Sequence, residues 1–133
     1  MTTKVIAFDA DDTLWVNEPY FQETEKIFCK LMDNYLSPAE TSRELLKTEL
    51  KNISLYGFGV KSFVLSMIET AARVSDGQAD MELAGKIIEM GQALLRKPVE
   101  LLDGVKEVLQ ELNGTYYLVL ATKGDLLDQE RKL

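Results

Sequence analysis

Three aspartates follow the first apolar segment of this chain, in the stretch FDADDTL at residues 8–14. Asp9 and Asp11 are two positions apart, so an extended backbone would direct both carboxylates to the same side. Neighbouring carboxylates repel each other, and such a pair is favourable where a cation or an acid–base reaction uses it. An aspartate-rich turn is the structural alternative. Three aspartates in four positions directly after a strand favour a catalytic site.

The residues before these aspartates predict the element that positions them. Residues 5–8 are apolar without polar alternation, which is typical of a buried parallel strand. Such a strand carries the residues that follow it to the carboxyl edge of the sheet, where open α/β folds bind their ligands. We therefore expect the aspartates to lie at a ligand-binding edge.

The stretch FDADDTL resembles the first motif of the haloacid dehalogenase-like hydrolases, in which a strand is followed by Asp-x-Asp-x-Thr. The later stretch YLVLATK, at residues 117–123, is similar to their second motif, an apolar strand that ends in Thr or Ser. In the subgroup that this chain resembles, a helical cap is inserted between the two motifs. The third motif supplies a phosphate-binding Lys and the fourth supplies acidic magnesium ligands, and neither follows Thr122. We therefore expect the sequence to be the front part of a longer protein.

The resemblance implies a role for each matched residue. Asp9 is expected to be the nucleophile that forms an aspartyl-phosphate, and Asp11 the general acid and then the base. The Asp9 side chain and the Asp11 backbone carbonyl are expected to bind Mg²⁺, which screens a carboxylate from a phosphate. Thr122 is expected to hydrogen-bond a phosphoryl oxygen, although a helix-capping Thr is equally compatible with its position. Lys123 and Lys61 are further substrate-binding candidates, for which a solvated lysine is the alternative.

Asp11 also bears on the class of reaction. In the family that this chain resembles, enzymes that cleave carbon–halogen bonds need no general acid at this position, because halide leaves unprotonated. The phosphatases of that family do carry this Asp. The resemblance therefore implies magnesium-dependent hydrolysis of a small phosphorylated metabolite, rather than 2-haloacid dehalogenation. A catalytically incomplete relative that acts as a binding or assembly module is the alternative from another class. Asp12 is interpreted as a turn or helix-start residue.

Composition excludes several other functions. The chain has no histidine, which removes Ser-His-Asp and Cys-His catalysis and the commonest zinc ligand. Its single cysteine, Cys29, forms no internal disulfide and is expected to be a buried thiol. A net charge of −7 argues against a nucleic-acid partner. Because there is neither a bilayer-length apolar run nor a basic-then-apolar leader, we expect a cytoplasmic protein without a membrane partner.

The rest of the sequence predicts an α/β fold: a partial doubly wound parallel core with two strands and an inserted α-helical bundle cap. Helical spacing begins after Asn17 and recurs in four segments up to about Arg96. A further helix through Leu112 and a strand over 116–121 follow, and Asp125 is a candidate N-cap. The expected boundaries are 1–14 for the first part of the core, 15–98 for the cap and 99–133 for the continued, incomplete core.

Further predictions concern segments of the cap and the core. Residues 37–40 form a capping-box pattern, behind which Leu46, Leu50 and Ile53 continue an apolar stripe at helical spacing. The loop at residues 56–61 is a candidate segment over the site, with an ordinary interhelical turn as the alternative. Because the third and fourth motifs are absent, we expect the isolated chain to be inactive. Two core strands alone would also leave apolar edges uncovered, so we expect it to be either unstable or self-associated.

Overall fold

The computed structural model describes residues 4–133. In chain order the elements are β1 (Val5–Asp9), α1 (Glu18–Leu31), α2 (Pro38–Tyr56), α3 (Val60–Val74), α4 (Met81–Leu95), α5 (Val105–Leu112), β2 (Tyr117–Ala121) and α6 (Leu126–Lys132). The two strands are parallel, which confirms the predicted α/β class with an inserted helical region.

Contacts divide the chain into two compact units. The core unit comprises the chain up to Tyr20 together with Pro98–Thr122, and the helical unit comprises Phe21–Lys97 together with Lys123–Leu133. The boundaries expected from the sequence differ from this division chiefly in the last segment. Contacts group residues 123–133 with the helical unit, in which Asp125 forms an ion pair with Lys61 at 3.2 Å.

In the core unit, β1 and β2 lie side by side with Val5 opposite Tyr117 and Asp9 opposite Ala121. The helix before β2 ends as predicted at the Asn113-Gly114 turn, where Gly114 has a positive φ of 92°. This register brings the last residue of each strand to one edge of the sheet. The polar residues that follow the two strands therefore start from neighbouring positions.

The prediction of a buried strand is wrong, because β1 and β2 both alternate between exposed and half-buried residues. On one face, Phe8 and Leu120 pack with Val105 against the buried cluster of the core unit. The residues that alternate with them are exposed, Tyr117 by 78%. An apolar run of this kind suits a strand whose two faces are both buried. The described residues of the core unit pack against only one face of the sheet.

In the helical unit, α2 begins where the sequence predicts. Ser37 caps α2, since its Oγ accepts the backbone N–H of Glu40 at 3.3 Å. The rings of Phe21 and Phe63 pack with centroids 5.1 Å apart and join α1 to α3. Cys29 is buried, and burial together with the nearby Glu25 carboxylate raises the pKa of its thiol. This supports the prediction of an unreactive structural thiol.

The α2–α3 contact includes buried polar pairs. Asn52 is fully buried and donates from Nδ2 to Ser66 Oγ at 3.1 Å, while Thr70 Oγ1 donates to Thr48 Oγ1 at 3.1 Å. The apolar stripe of α2 lies elsewhere on that helix: Leu46 is 53% exposed and Leu50 is 61% exposed. The spacing of apolar residues therefore predicts the helix correctly but not the face that packs in this unit. Among residues 4–133, no helix combines the length and apolar character needed to cross a membrane.

We predict opposite effects for two Gly→Ala substitutions in α4. A Cβ on Gly91 would clash with Val64 Cγ2 of α3, whereas a Cβ on Gly85 would meet no atom within 4 Å. Gly91→Ala should lower the free energy of unfolding by about 1–3 kcal/mol because it overpacks the contact. Gly85→Ala should raise it by up to about 1 kcal/mol because alanine favours the helix. Urea unfolding followed by far-UV circular dichroism measures both, and equal effects of the two would contradict the packing described.

Candidate active site

A tight turn follows β1 and is organised around one carbonyl oxygen. Ala10 is fully buried, and its carbonyl accepts the backbone N–H groups of Thr13 at 3.1 Å and Leu14 at 2.8 Å. Asp12 at the tip has a φ of +60°, in the left-handed region that aspartate tolerates better than most residues. The chain therefore reverses direction immediately after the strand and leaves Asp9 and Asp11 near the sheet edge.

The Asp12 side chain joins this turn to the start of α1. Its carboxylate accepts the backbone N–H of Asn17 at 2.9 Å and that of Glu18 at 2.9 and 3.0 Å. A carboxylate at this position also interacts favourably with the positive end of the helix dipole. The interpretation of Asp12 as a turn and helix-start residue is confirmed.

Asp9 is the last residue of β1, and its carboxylate is held from one side. Thr13 Oγ1 donates to Asp9 Oδ2 at 2.8 Å, across the turn. Asp9 Oδ1 accepts no hydrogen bond from the described residues. One oxygen of this exposed carboxylate is thus fixed in position while the other is available to a reacting group.

Asp11 is held by a different donor. The indole Nε1 of Trp15 donates to Asp11 Oδ1 at 2.9 Å. Trp15 is buried with Ala10 and Leu14 in the core unit, so the ring that provides this hydrogen bond is itself fixed by packing. This hydrogen bond restrains the orientation of the Asp11 carboxyl group at Oδ1.

Thr122 follows β2 at the same edge. Its neighbour Ala121 lies opposite Asp9 in the parallel register, so β2 delivers Thr122 to the edge where β1 ends. The residue is exposed. The three candidates from the two motifs, Asp9, Asp11 and Thr122, all belong to the core unit.

The chain segments that leave and re-enter the core unit are paired with each other. Val16 N donates to the Glu100 carbonyl at 2.8 Å, and Leu102 N donates to the Leu14 carbonyl at 2.9 Å. The Tyr20 hydroxyl donates to Glu100 Oε2 at 2.8 Å. This ladder fixes the backbone directly after the turn that carries the aspartates.

The two candidate lysines contact other groups in the helical unit. Lys61 pairs with Asp125, and Lys123 Nζ lies 5.8 Å from the centre of the Phe58 ring. Burial acts to raise the pKa of Asp125, but the backbone N–H of Asp128 and the Lys61 ammonium together hold that pKa below its ordinary value. Substrate binding by Lys61 and Lys123 stays a prediction, as does phosphate binding by Thr122.

The donor types at the turn fit a magnesium ion. Mg²⁺ prefers oxygen ligands, and it commonly takes one or two carboxylates and completes its shell with water and substrate phosphate. The Asp9 carboxylate and the Asp11 carbonyl are donors of this kind. No group of three or more acidic, cysteine or histidine residues suited to a metal occurs among residues 4–133. The described residues therefore offer part of a coordination shell.

Sequence reasoning did not assign roles to the two donors that orient the aspartates, Thr13 and Trp15. Thr13 was visible as the threonine of the Asp-x-Asp-x-Thr pattern, four residues after Asp9. Trp15 carried a weaker signal, as a large residue with one polar N–H just beyond the turn. Each forms its hydrogen bond to an aspartate four residues earlier. The turn around Ala10 brings residues at this spacing close together.

Comparison with known proteins identifies the family. The chain is similar to a haloacid dehalogenase-like family hydrolase from Xanthomonas campestris, with 38% sequence identity and a TM-score of 0.89. The match covers 98% of this chain and 55% of that chain, so this chain spans about half the length of that structure. No protein-family model and no curated protein matches the sequence. The chain belongs to the haloacid dehalogenase-like family of hydrolases.

The turn generates a prediction about Asp12. Asp12→Ala removes the acceptor for Asn17 and Glu18 and places alanine at a positive φ, so it should cost about 1–2 kcal/mol of unfolding free energy. Asp12→Asn keeps an acceptor oxygen and a residue suited to that φ, and should cost about half as much or less. Urea unfolding compares the two variants. Equal stability of Asp12→Ala and the wild type would show that this side chain does not hold the turn.

Proposed function

We propose that this chain carries the nucleophile and general acid of a magnesium-dependent phosphomonoester hydrolase that acts through an aspartyl-phosphate. The observation that carries the proposal is the pair of separately oriented aspartates after β1. Thr13 holds Asp9 Oδ2, and Trp15 holds Asp11 Oδ1. Two carboxyl groups fixed by different donors are suited to different tasks in one reaction.

In the first step, Asp9 Oδ1 attacks the phosphorus of the substrate. A new Asp9–phosphorus bond forms while the bond from phosphorus to the leaving alkoxide breaks. Asp11 donates its carboxyl proton to that alkoxide, which departs as an alcohol. The Thr13 hydrogen bond restrains the carboxylate that attacks, which lowers the cost of orienting it.

In the second step, Asp11 acts as the base. Its carboxylate takes a proton from a water molecule, and the oxygen of that water attacks the phosphorus. The bond between phosphorus and Asp9 breaks, which releases inorganic phosphate and restores the Asp9 carboxylate. Thr122, one position beyond the residue opposite Asp9, is proposed to donate its hydroxyl to a phosphoryl oxygen in both steps.

Magnesium is proposed as the cofactor, held by the Asp9 carboxylate and the Asp11 carbonyl. When bound, it supplies positive charge that reduces the repulsion between the attacking carboxylate and the phosphate. We propose a small phosphorylated metabolite as substrate and the cytoplasm as the location. Phe58 and the Lys61 and Lys123 side chains are candidates for substrate selection by the helical unit.

A non-catalytic binding or assembly role is the second candidate. It is favoured by the lack of a three-residue acidic cluster among residues 4–133. Both candidate functions use the edge of the sheet where the strands end. Only the phosphatase function requires turnover that depends on Asp9.

The first test replaces the proposed nucleophile in the protein that carries this chain. Asp9→Asn is nearly isosteric and should lower hydrolysis of p-nitrophenyl phosphate by at least about a thousandfold, because an amide is a poor nucleophile. Asp12→Asn is the matched control in the same turn and should keep most of the turnover. Circular dichroism checks the fold, and mass spectrometry checks that the introduced amide has not been hydrolysed back to a carboxylate. Substantial turnover by intact Asp9→Asn would remove Asp9 from this role.

The second test separates phosphatase from dehalogenase activity. Hydrolysis of phosphate monoesters should require Mg²⁺ and cease in EDTA, since the ion offsets the charge of the substrate. A 2-haloacid should release no halide under the same conditions. Halide release in the absence of added metal would reverse the assignment.

A further inference from the structure

Helix α2 buries three polar residues beside Leu45 and leaves other leucines exposed. Thr41, Thr48 and Asn52 are almost completely buried, whereas more than half of each of Leu46 and Leu50 remains exposed. A surface helix of a globular protein ordinarily does the opposite. The two leucines lie one helical turn apart on the same side of α2. Their exposure therefore leaves an apolar stripe that this unit does not use for its own packing.

A cationic groove borders that stripe. It has a volume of about 510 Å³ and is lined by Leu36, Glu40, Arg43, Glu44, Lys47, Arg73 and Val74. Arg43 and Lys47 belong to α2 and lie within one turn of Leu46. Along α2, the groove-lining residues Arg43 and Lys47 are therefore neighbours of the stripe.

The groove has an excess of positive charge within a chain whose net charge is −7. Its lining includes three cationic and two anionic side chains. Glu44 is engaged by Arg73 at 3.1 Å and by Lys47 at 3.4 Å. These two partners, Arg73 first, hold the pKa of Glu44 below its ordinary value, so this carboxylate is ionised at neutral pH.

Arg43 is the remaining cation of the groove. It forms no ion pair or hydrogen bond with the residues that the structure describes, and it is exposed. A guanidinium offers five N–H donors in a planar fork that matches a carboxylate. Arg43 is therefore available to an acidic group on a partner whose apolar side chains cover Leu46 and Leu50.

We propose that the stripe (Leu46 and Leu50) and the adjoining groove form a docking surface for an acidic amphipathic helix of another protein. Apolar residues at i and i+4 of that helix cover the leucines, and its flanking carboxylates face Arg43 and Lys47. The excess of one positive charge in the groove favours an acidic partner. A second copy that presented this same face would bring the same excess of positive charge, as an isologous contact requires. This surface is independent of the proposed catalytic reaction.

The test measures binding of a synthetic peptide by fluorescence anisotropy. The probe is a labelled amphipathic helix about 18 residues long, with leucine at i, i+4 and i+7 spacing and glutamate at the flanking positions. Wild-type protein should bind it, and the double variant Leu46→Gln/Leu50→Gln should bind at least about tenfold more weakly. Arg43→Gln should weaken binding about threefold to tenfold and reduce its dependence on salt.

Matched controls separate this surface from general stickiness. Leu65→Gln removes an exposed leucine from α3, and Lys86→Gln removes a cation from α4. Both should bind the peptide as the wild type does. A second peptide carries lysine in place of every glutamate and should bind at least about tenfold more weakly, because it places cations against Arg43 and Lys47.

Three results would overturn the proposal. They are equal binding of the glutamate and lysine peptides, unchanged affinity in the correctly folded double variant, and failure of the wild type to bind the glutamate peptide. Sedimentation equilibrium could give a fourth result that overturns the proposal. Self-association of the wild type that the double variant loses would assign the surface to a second copy of this chain.

Discussion

The candidate site depends on the convergence of backbone N–H groups on the Ala10 carbonyl. That interaction reverses the chain directly after β1 and places Thr13 and Trp15 within hydrogen-bonding distance of Asp9 and Asp11. The same turn forces Asp12 to a positive φ, from which its carboxylate caps the start of α1. One buried carbonyl therefore organises the two proposed catalytic carboxyl groups and the beginning of the next helix. Substitutions that open this turn should affect chemistry and local stability together.

The two units achieve their packing by different means. In the core unit, an apolar cluster that includes Trp15 supports one face of a two-stranded sheet. In the helical unit, α2 and α3 meet through hydrogen-bonded polar side chains such as Asn52 and Ser66. Hydrogen bonds between buried polar side chains restrict which helix faces can meet. The apolar stripe of α2 is left for contacts outside the unit, consistent with the docking surface proposed above.

The parts of the structure that depend on local chemistry could be predicted from the sequence. The Ser37 cap, the start of α1 near Asn17 and the parallel strands follow from turn residues and apolar spacing. Burial could not be predicted in the same way. An apolar run indicates a strand suited to burial, but exposure depends on which other elements cover it, as Tyr117 illustrates. Likewise, the spacing of Leu46 and Leu50 reveals a helix face without revealing what packs on it. The Asp-x-Asp-x-Thr pattern located the aspartates, while the role of Trp15 required the three-dimensional turn.

The most direct test of the central claim is to locate the phosphoryl group on the enzyme. The protein that carries this chain is incubated with Mg²⁺ and a phosphate ester and quenched in acid. Sodium borohydride then reduces any acyl phosphate to a stable alcohol at the labelled residue, and the protein is digested with trypsin and sequenced by tandem mass spectrometry. Cleavage after Lys4 and Lys26 yields a peptide with all three aspartates of the turn, so fragment ions must assign the modified one. We predict an acid-stable, hydroxylamine-sensitive phosphoryl group on Asp9. A phosphoryl group on Asp11, on Asp12 or on a residue outside this peptide would contradict the assignment of Asp9 as the nucleophile.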